Sequence, residues 1–193
     1  MNFISLGNLW WQFLLFVIGS YLIGSINFAV LISKLKKRDI RNIGSGNPGT
    51  LNMSRNFGIG IGILTLLLDI VKGIVPTLTA TLVYSGYYFE GTTLAISLFA
   101  KVTCGFFVVL GHVFPIFMKF KGGKGIATTI GVFFVCNWVV ALISGAIAIA
   151  FIMFTEIGSM GSFIATTPGA IASCYSVYMD YINNQPIGVN SGL

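Results

Sequence analysis

The chain has 193 residues, of which 55% are hydrophobic and only 8% charged, with a mean hydropathy of +0.91. So much apolar surface excludes a water-soluble enzyme or nucleic-acid binder and points to an all-α polytopic membrane helix bundle, one integral membrane domain over residues 1–193. Eleven Lys and Arg against five Asp and Glu give a net charge of +6, whose meaning depends on where the charges fall.

Residues 9–32 read as the first span. Trp10, Trp11 and Gln12 open it at an interface, and Gly19, Ser20, Gly24 and Ser25 form a small-residue face for close packing. The run is longer than the apolar part of a cleavable signal and ends in Lys34, Lys36, Lys37, Arg38 and Arg41. By the positive-inside rule that cluster is cytoplasmic and the N-terminus lies outside. Residues 44–55 follow as a Gly-, Asn- and Pro-rich loop. Ser45, Asn47 and Asn52 are candidate hydrogen-bond donors there, and Arg55 can hold a phosphate bidentately. The competing reading is an ordinary turn before a basic stop signal. Residues 61–83 are the second span, with Asp69, Lys72 and Pro76 inside it; Asp69 and Lys72 are one turn apart and can pair. Residues 84–91 are a short external loop, and residues 92–117 the third span, with Lys101 inside.

The stretch GHVFPIFMKFKGGKGIATTIG, residues 111–131, holds the sole histidine, His112, and the basic residues Lys119, Lys121 and Lys124. Glycines beside lysines let a backbone approach a bound group, and a helix starting near Ile126 aims its N-terminus at the same place. That combination suits an anion, phosphate above all. It is not a Walker A loop, because Gly125 follows Lys124 where Ser or Thr is required. A basic loop that merely meets acidic headgroups is the alternative. His112, at a span end before Pro115, taken on its own reads better as an interfacial histidine without a task. Nine of the eleven Lys and Arg fall in the two polar loops, which assigns both to one side.

Residues 126–154 are long for one span and short for two. Asn137 and Trp138 near the middle predict a turn, hence a hairpin whose first helix, residues 126–136, rises only about 16 Å. Its inner end must then be shielded by protein. The hairpin returns Glu156, Ser159 and Ser162 to the side of the other polar loops. Residues 163–178 are a weaker last span with Pro168, and 180–193 a polar tail. The three cysteines, Cys104, Cys136 and Cys174, have spacings that suit neither a disulfide framework nor a metal site. No metal or cofactor is expected.

SINF from Ser25, DIRNIGSGNPGTLNMSR, LLDIVKGIVP and LGHVFPIFMKFKGGKGIATTIG together resemble the bacterial membrane acylphosphate:glycerol-3-phosphate acyltransferases, in order from about residue 22 to 162. The resemblance implies seven spans, of which about six are legible here, with short helices near a cytoplasmic active site in the bacterial inner membrane. It implies transfer of a fatty acyl group from acyl phosphate to the sn-1 hydroxyl of glycerol 3-phosphate, giving lysophosphatidate and phosphate. The implied partners are those two small molecules and membrane lipid, with no nucleic acid. Ser45, His112 and Lys124 become candidate catalytic residues. Gly46, Asn47, Gly49, Asn52, Arg55, Lys121, Gly122, Gly123, Gly125, Thr128, Ser159 and Ser162 become candidate substrate- and phosphate-binding residues.

Three departures from the family pattern stand in the sequence. GTLN, with Thr50 and Leu51, replaces the usual GATN; Thr155 and Glu156 stand where an arginine usually precedes the serines; and the usual further span with a basic, Asn-containing tail is not seen by Leu193. A non-enzymatic binder or transporter of a phosphorylated solute, or an inactive truncated relative, is the alternative. Chemically, two phosphorylated substrates require two anion-binding surfaces. The mixed-anhydride donor has a good leaving group, so positioning and electrostatic stabilisation suffice without a covalent enzyme intermediate. The proton acceptor is open among His112, Ser45 and the departing phosphate. The H-x-x-x-x-D signature of soluble-type acyltransferases is absent, since Phe117 stands five residues after His112.

Overall fold

A computed structural model describes residues 2–4, 6–89, 95–155 and 157–183. In chain order these form β1 (Asn2–Ile4), α1 (Leu6–Ser25), α2 (Phe28–Leu35), a 3-10 turn (Ile40–Asn42), α3 (Thr50–Phe57), α4 (Ile59–Val83), β2 (Tyr87–Phe89), α5 (Ile96–Val113), a second 3-10 turn (Ile116–Met118), α6 (Ile126–Cys136), α7 (Trp138–Thr155) and α8 (Gly158–Asn183). Apolar side chains such as Leu67, Val71, Phe106, Ile147 and Met153 point outward and are at least half exposed, as a surface bathed in lipid requires. By length and apolarity α4, α5 continued to Met118, and α7 can each cross a membrane. The bent pair α1–α2 makes a fourth, against the six or so expected. The 11-residue α6 is too short to cross alone.

The first span is not one helix. It bends by 40° between α1 and α2. Asn27 leaves the helical region (φ −101°, ψ 102°), and its side-chain oxygen accepts a hydrogen bond from the Val30 N–H at 3.0 Å, capping α2. The carbonyl of Ile26, at the break, is taken up by Lys72 Nζ at 2.7 Å. The polar stretch after α2 also contains more order than expected, for α3 lies inside it. Met53 of α3 is fully buried with Ala29, Val30 and Ile40, and Met118 packs on the same cluster. At the other end of the bundle Ala80, Tyr84, Ile96, Ala100 and Cys104 form a second cluster, covered by Phe13 and Phe16. There the short strands β1 and β2 pair in parallel, a feature the sequence did not announce.

The hairpin expected after residue 126 is present. Asn137 breaks the helix (φ −155°, ψ 91°) and caps α7 by accepting from the Val140 N–H at 3.2 Å. Ser144 of α7 donates to the Ala165 carbonyl of α8 at 3.1 Å, and Gly161 lies against Ile152, so α7 and α8 are antiparallel. Gly169 of α8 lies under the Phe133 ring and Ser173 neighbours Cys136, so α6 and α8 run the same way. The starts of α6 and α8 therefore share one end of the bundle. Gly158, the first residue of α8, faces Leu51 of α3: a Cβ on it would come within 2.7 Å of Leu51 Cδ1.

The short α6 packs on α4 at glycines. A Cβ on Gly73 would run into the Thr128 carbonyl, and one on Gly131 into the Ile70 carbonyl. With no side chain between them the two backbones touch, which is how small residues let a short helix pack closely in a membrane bundle. Gly131→Val should cost about 1–3 kcal/mol or more, because the obstacle is backbone. The measurement is thermal unfolding in detergent, with Gly145→Val, which points into open space, expected to leave the transition unchanged.

Candidate active site

The first polar loop is built around one amide. Asn52 is 4% exposed, and its Nδ2 donates to the carbonyls of Ile43 (3.0 Å), Asn47 (3.1 Å) and Ile40 (3.4 Å). Its Oδ1 accepts from the Ser45 N–H at 3.2 Å and from Asn56 Nδ2 at 2.9 Å. Asn52, expected to meet substrate, thus has its polar capacity spent on folding the loop. What the loop presents outward is Ser45, whose hydroxyl accepts from the Asn47 N–H at 3.4 Å, and Arg55, exposed in the last turn of α3 and making no side-chain bond among the described residues. The α3 helix begins at Gly49 without a side-chain cap, so its first N–H groups are unspent. Gly46 (φ +70°) turns the chain between them.

Asp39 and Arg41 brace the loop's entry, which was not read from the sequence. Arg41 Nη2 sits 2.6 Å from Asp39 Oδ2, and this guanidinium holds the Asp39 carboxyl down at about 2. Only their spacing could have suggested it.

The second loop closes over the end of α5. Gly122 N–H donates to the Val113 carbonyl at 3.1 Å and Gly123 N–H to the His112 carbonyl at 3.3 Å. These two N–H groups, expected to face an anion, are used instead to satisfy carbonyls that the end of α5 would leave orphaned. The glycines are needed for closeness: a Cβ on Gly122 would strike the His112 carbonyl, and one on Gly123 the His112 Nε2. Gly125, at φ +82°, starts α6 with no side-chain cap, and Thr129 closes its first turn by bonding the Gly125 carbonyl. Lys121 and Lys124 stand exposed on either side of the buried Gly123 and make no ion pair among the described residues.

His112 itself is 4% exposed. Its Nδ1 lies 3.2 Å from Thr128 Oγ1 and 3.8 Å from Asp69 Oδ1. Asp69 in turn is 2.9 Å from Lys72 Nζ, each side chain 3% exposed. Asp69 and Lys72, which the sequence could only pair with each other, thus reach two further elements. Lys101 is half-buried in α5 and contributes nothing to this cluster.

The third polar segment is the first turn of α8. Ser162 is half-buried and its hydroxyl bonds the Gly158 carbonyl at 2.7 Å. The Ser159 side chain and Glu156 lie outside the described residues. The contact of Gly158 with Leu51 and of Met118 with the Met53 cluster brings all three polar segments to one end of the bundle.

Residues 14–189 match the model of the glycerol-3-phosphate acyltransferase family. The chain belongs to that family. This acyltransferase is 43% identical over 163 residues to glycerol-3-phosphate acyltransferase 2 of Thermotoga maritima, covering 84% of its own length and 76% of the relative's. It is 36% identical over 175 residues to the glycerol-3-phosphate acyltransferase of Mycoplasmopsis pulmonis, covering 91% and 74%. Among solved structures it resembles PlsY (YgiH), an integral membrane glycerol 3-phosphate acyltransferase. The TM-score is 0.72 with 32% identity for the glycerol 3-phosphate form, over 90% of this chain and 88% of that one. For the lysophosphatidic acid form it is 0.70 with 30% identity, over 90% and 87%.

The seating of His112 beneath Gly123 gives a test of the acyltransferase. Gly123→Ala pushes its methyl into the imidazole and displaces the loop, so turnover should fall by on the order of 10²-fold, as small misplacements in a positioned site do. Gly60→Ala, where nothing lies near the added Cβ, should leave it unchanged. Steady-state kinetics on both variants is the measurement.

Proposed function

We propose that this acyltransferase moves a fatty acyl group from an acyl phosphate to the sn-1 hydroxyl of glycerol 3-phosphate at the cytoplasmic face of a bacterial inner membrane. The observation that carries the reading is the uncapped start of α6 at Gly125, flanked by the exposed Lys121 and Lys124. The first loop offers a second anion surface in the exposed Ser45 and the uncapped start of α3, with the exposed Arg55 in the last turn of the same short helix. Two phosphorylated substrates need two such surfaces. The relatives are glycerol-3-phosphate acyltransferases, and PlsY has a glycerol 3-phosphate form and a lysophosphatidic acid form, which are the acceptor and product of this reaction.

In the reaction the sn-1 hydroxyl oxygen attacks the acyl carbonyl carbon. The carbonyl carbon–phosphate oxygen bond breaks and inorganic phosphate leaves. The lysines and the N–H groups at the start of α6 stabilise negative charge on the phosphate as it departs. Of the three candidate proton acceptors, the departing phosphate fits best. Ser45 is a neutral hydroxyl and a poor base. His112 has Gly123 over Nε2 and Thr128 on Nδ1, so its place is under the loop, supporting it. Phosphate has an ionisation near neutral pH and is already at the reacting centre. Gly46, Asn47 and Gly49 shape the first surface rather than donate to it, since their N–H groups bond the Ile43 carbonyl, the Ser45 hydroxyl and the Asn47 carbonyl; Ser159 and Ser162 belong to the first turn of α8, whose Gly158 meets Leu51 of α3.

The test is to mix purified protein with acyl phosphate and labelled glycerol 3-phosphate. Equal amounts of lysophosphatidate and inorganic phosphate are expected; no product from acyl phosphate overturns the reading. Lys124→Ala should lower turnover by a factor on the order of 10–100, the worth of a charge-assisted hydrogen bond to phosphate. Lys36→Ala, in the basic cluster after α2, should stay near the parent.

A further inference from the structure

Asp69 and Lys72 sit on adjacent turns of α4, nearly without solvent contact, and a buried ion pair is weak evidence of stability because desolvation offsets its attraction. Something else must account for where this one points. Lys72 turns toward the break in the first span: Nζ donates to the Ile26 carbonyl at 2.7 Å and lies 5.6 Å from the centre of the Phe28 ring. The Asp69 oxygen that meets Lys72, Oδ1, also lies 3.8 Å from His112 Nδ1, a packing contact longer than a hydrogen bond, and that nitrogen meets the Thr128 hydroxyl at 3.2 Å.

Each contact leads to one of the two anion surfaces. The α1–α2 break sets the direction of α2, which runs into the loop of Ser45 and Arg55. Thr128 is in the first turn of α6, whose N–H groups make up the other surface, and the His112 carbonyl accepts from the Gly123 N–H. The pair is therefore the point from which both surfaces take their position.

We infer that Asp69 and Lys72 are positioning residues for acyl transfer: one buried ion pair spans from the Ile26 carbonyl to the His112–Thr128 contact and fixes the spacing of the two phosphate surfaces. Neither side chain touches substrate. The pair acts through the α1–α2 break on one side and the start of α6 on the other. This rests on the acyl-transfer reading, and the parent's own assay decides that reading before any variant is made.

The decisive variant exchanges the charges, Asp69→Lys with Lys72→Asp. A pair that only neutralises itself survives the exchange. A positioning pair does not, because the ammonium leaves the Ile26 carbonyl and the carboxylate leaves His112. The companion is the uncharged pair Asp69→Asn with Lys72→Met, since neutral replacement of a buried ion pair is commonly tolerated by folds. Unfolding temperature in detergent and the kcat and KM for both substrates are measured on each. The expected result is at least one variant with an unfolding transition close to the parent's and a loss in kcat of about tenfold or more. Folded variants whose kcat lies within twofold of the parent's overturn the inference. Failure of both variants to fold assigns the pair to stability alone and overturns it as well.

Discussion

Lys72 holds an ammonium group in a place where only protein can satisfy it. It does so with the Asp69 carboxylate and the Ile26 carbonyl, freed by the break. The three groups depend on one another. Without the break, Ile26 would spend its carbonyl inside a helix. Without Lys72, a carbonyl and a carboxylate would be left buried and unpaired, at a cost of about 3–5 kcal/mol for the charge alone. The bend in the first span and the ion pair in α4 are thus joined through one hydrogen bond.

The second constraint is closeness. α6 is too short to span and is kept in place by backbone contact at Gly73 and Gly131. The same economy recurs at the loop before it, where Gly122 and Gly123 settle on the carbonyls of α5 and on the His112 ring. This packing leaves the start of α6 uncapped while lysines stand beside it. An anion is the partner such an arrangement lacks.

Much of this was legible in the sequence. Lysine and arginine placement marks two polar loops on one side, and the length of the apolar run from residue 126, with Asn137 and Trp138 near its middle, favours a hairpin. Other features were hidden for physical reasons. Residues 9–32 have the length of one span, so Asn27 within them gives no reason to read a break. α3 is short and rich in Asn and Ser, so its stretch reads as loop. The Asn52 amide and the Gly122 and Gly123 N–H groups look available for substrate in a sequence, because a sequence does not show which donors the backbone itself will claim. The approach of Asp69 to His112 joins residues 43 positions apart and leaves no local pattern at all.

The account stands on the convergence of the three polar segments at one end of the bundle, and the contact of Leu51 with Gly158 tests it most directly. Cysteines placed at these two positions, with Cys104, Cys136 and Cys174 replaced, should be joined by a short bifunctional thiol reagent in native membranes. Efficient joining within single chains is the predicted result. If both cysteines react but are never joined to each other, α8 begins away from α3, and the convergence is contradicted.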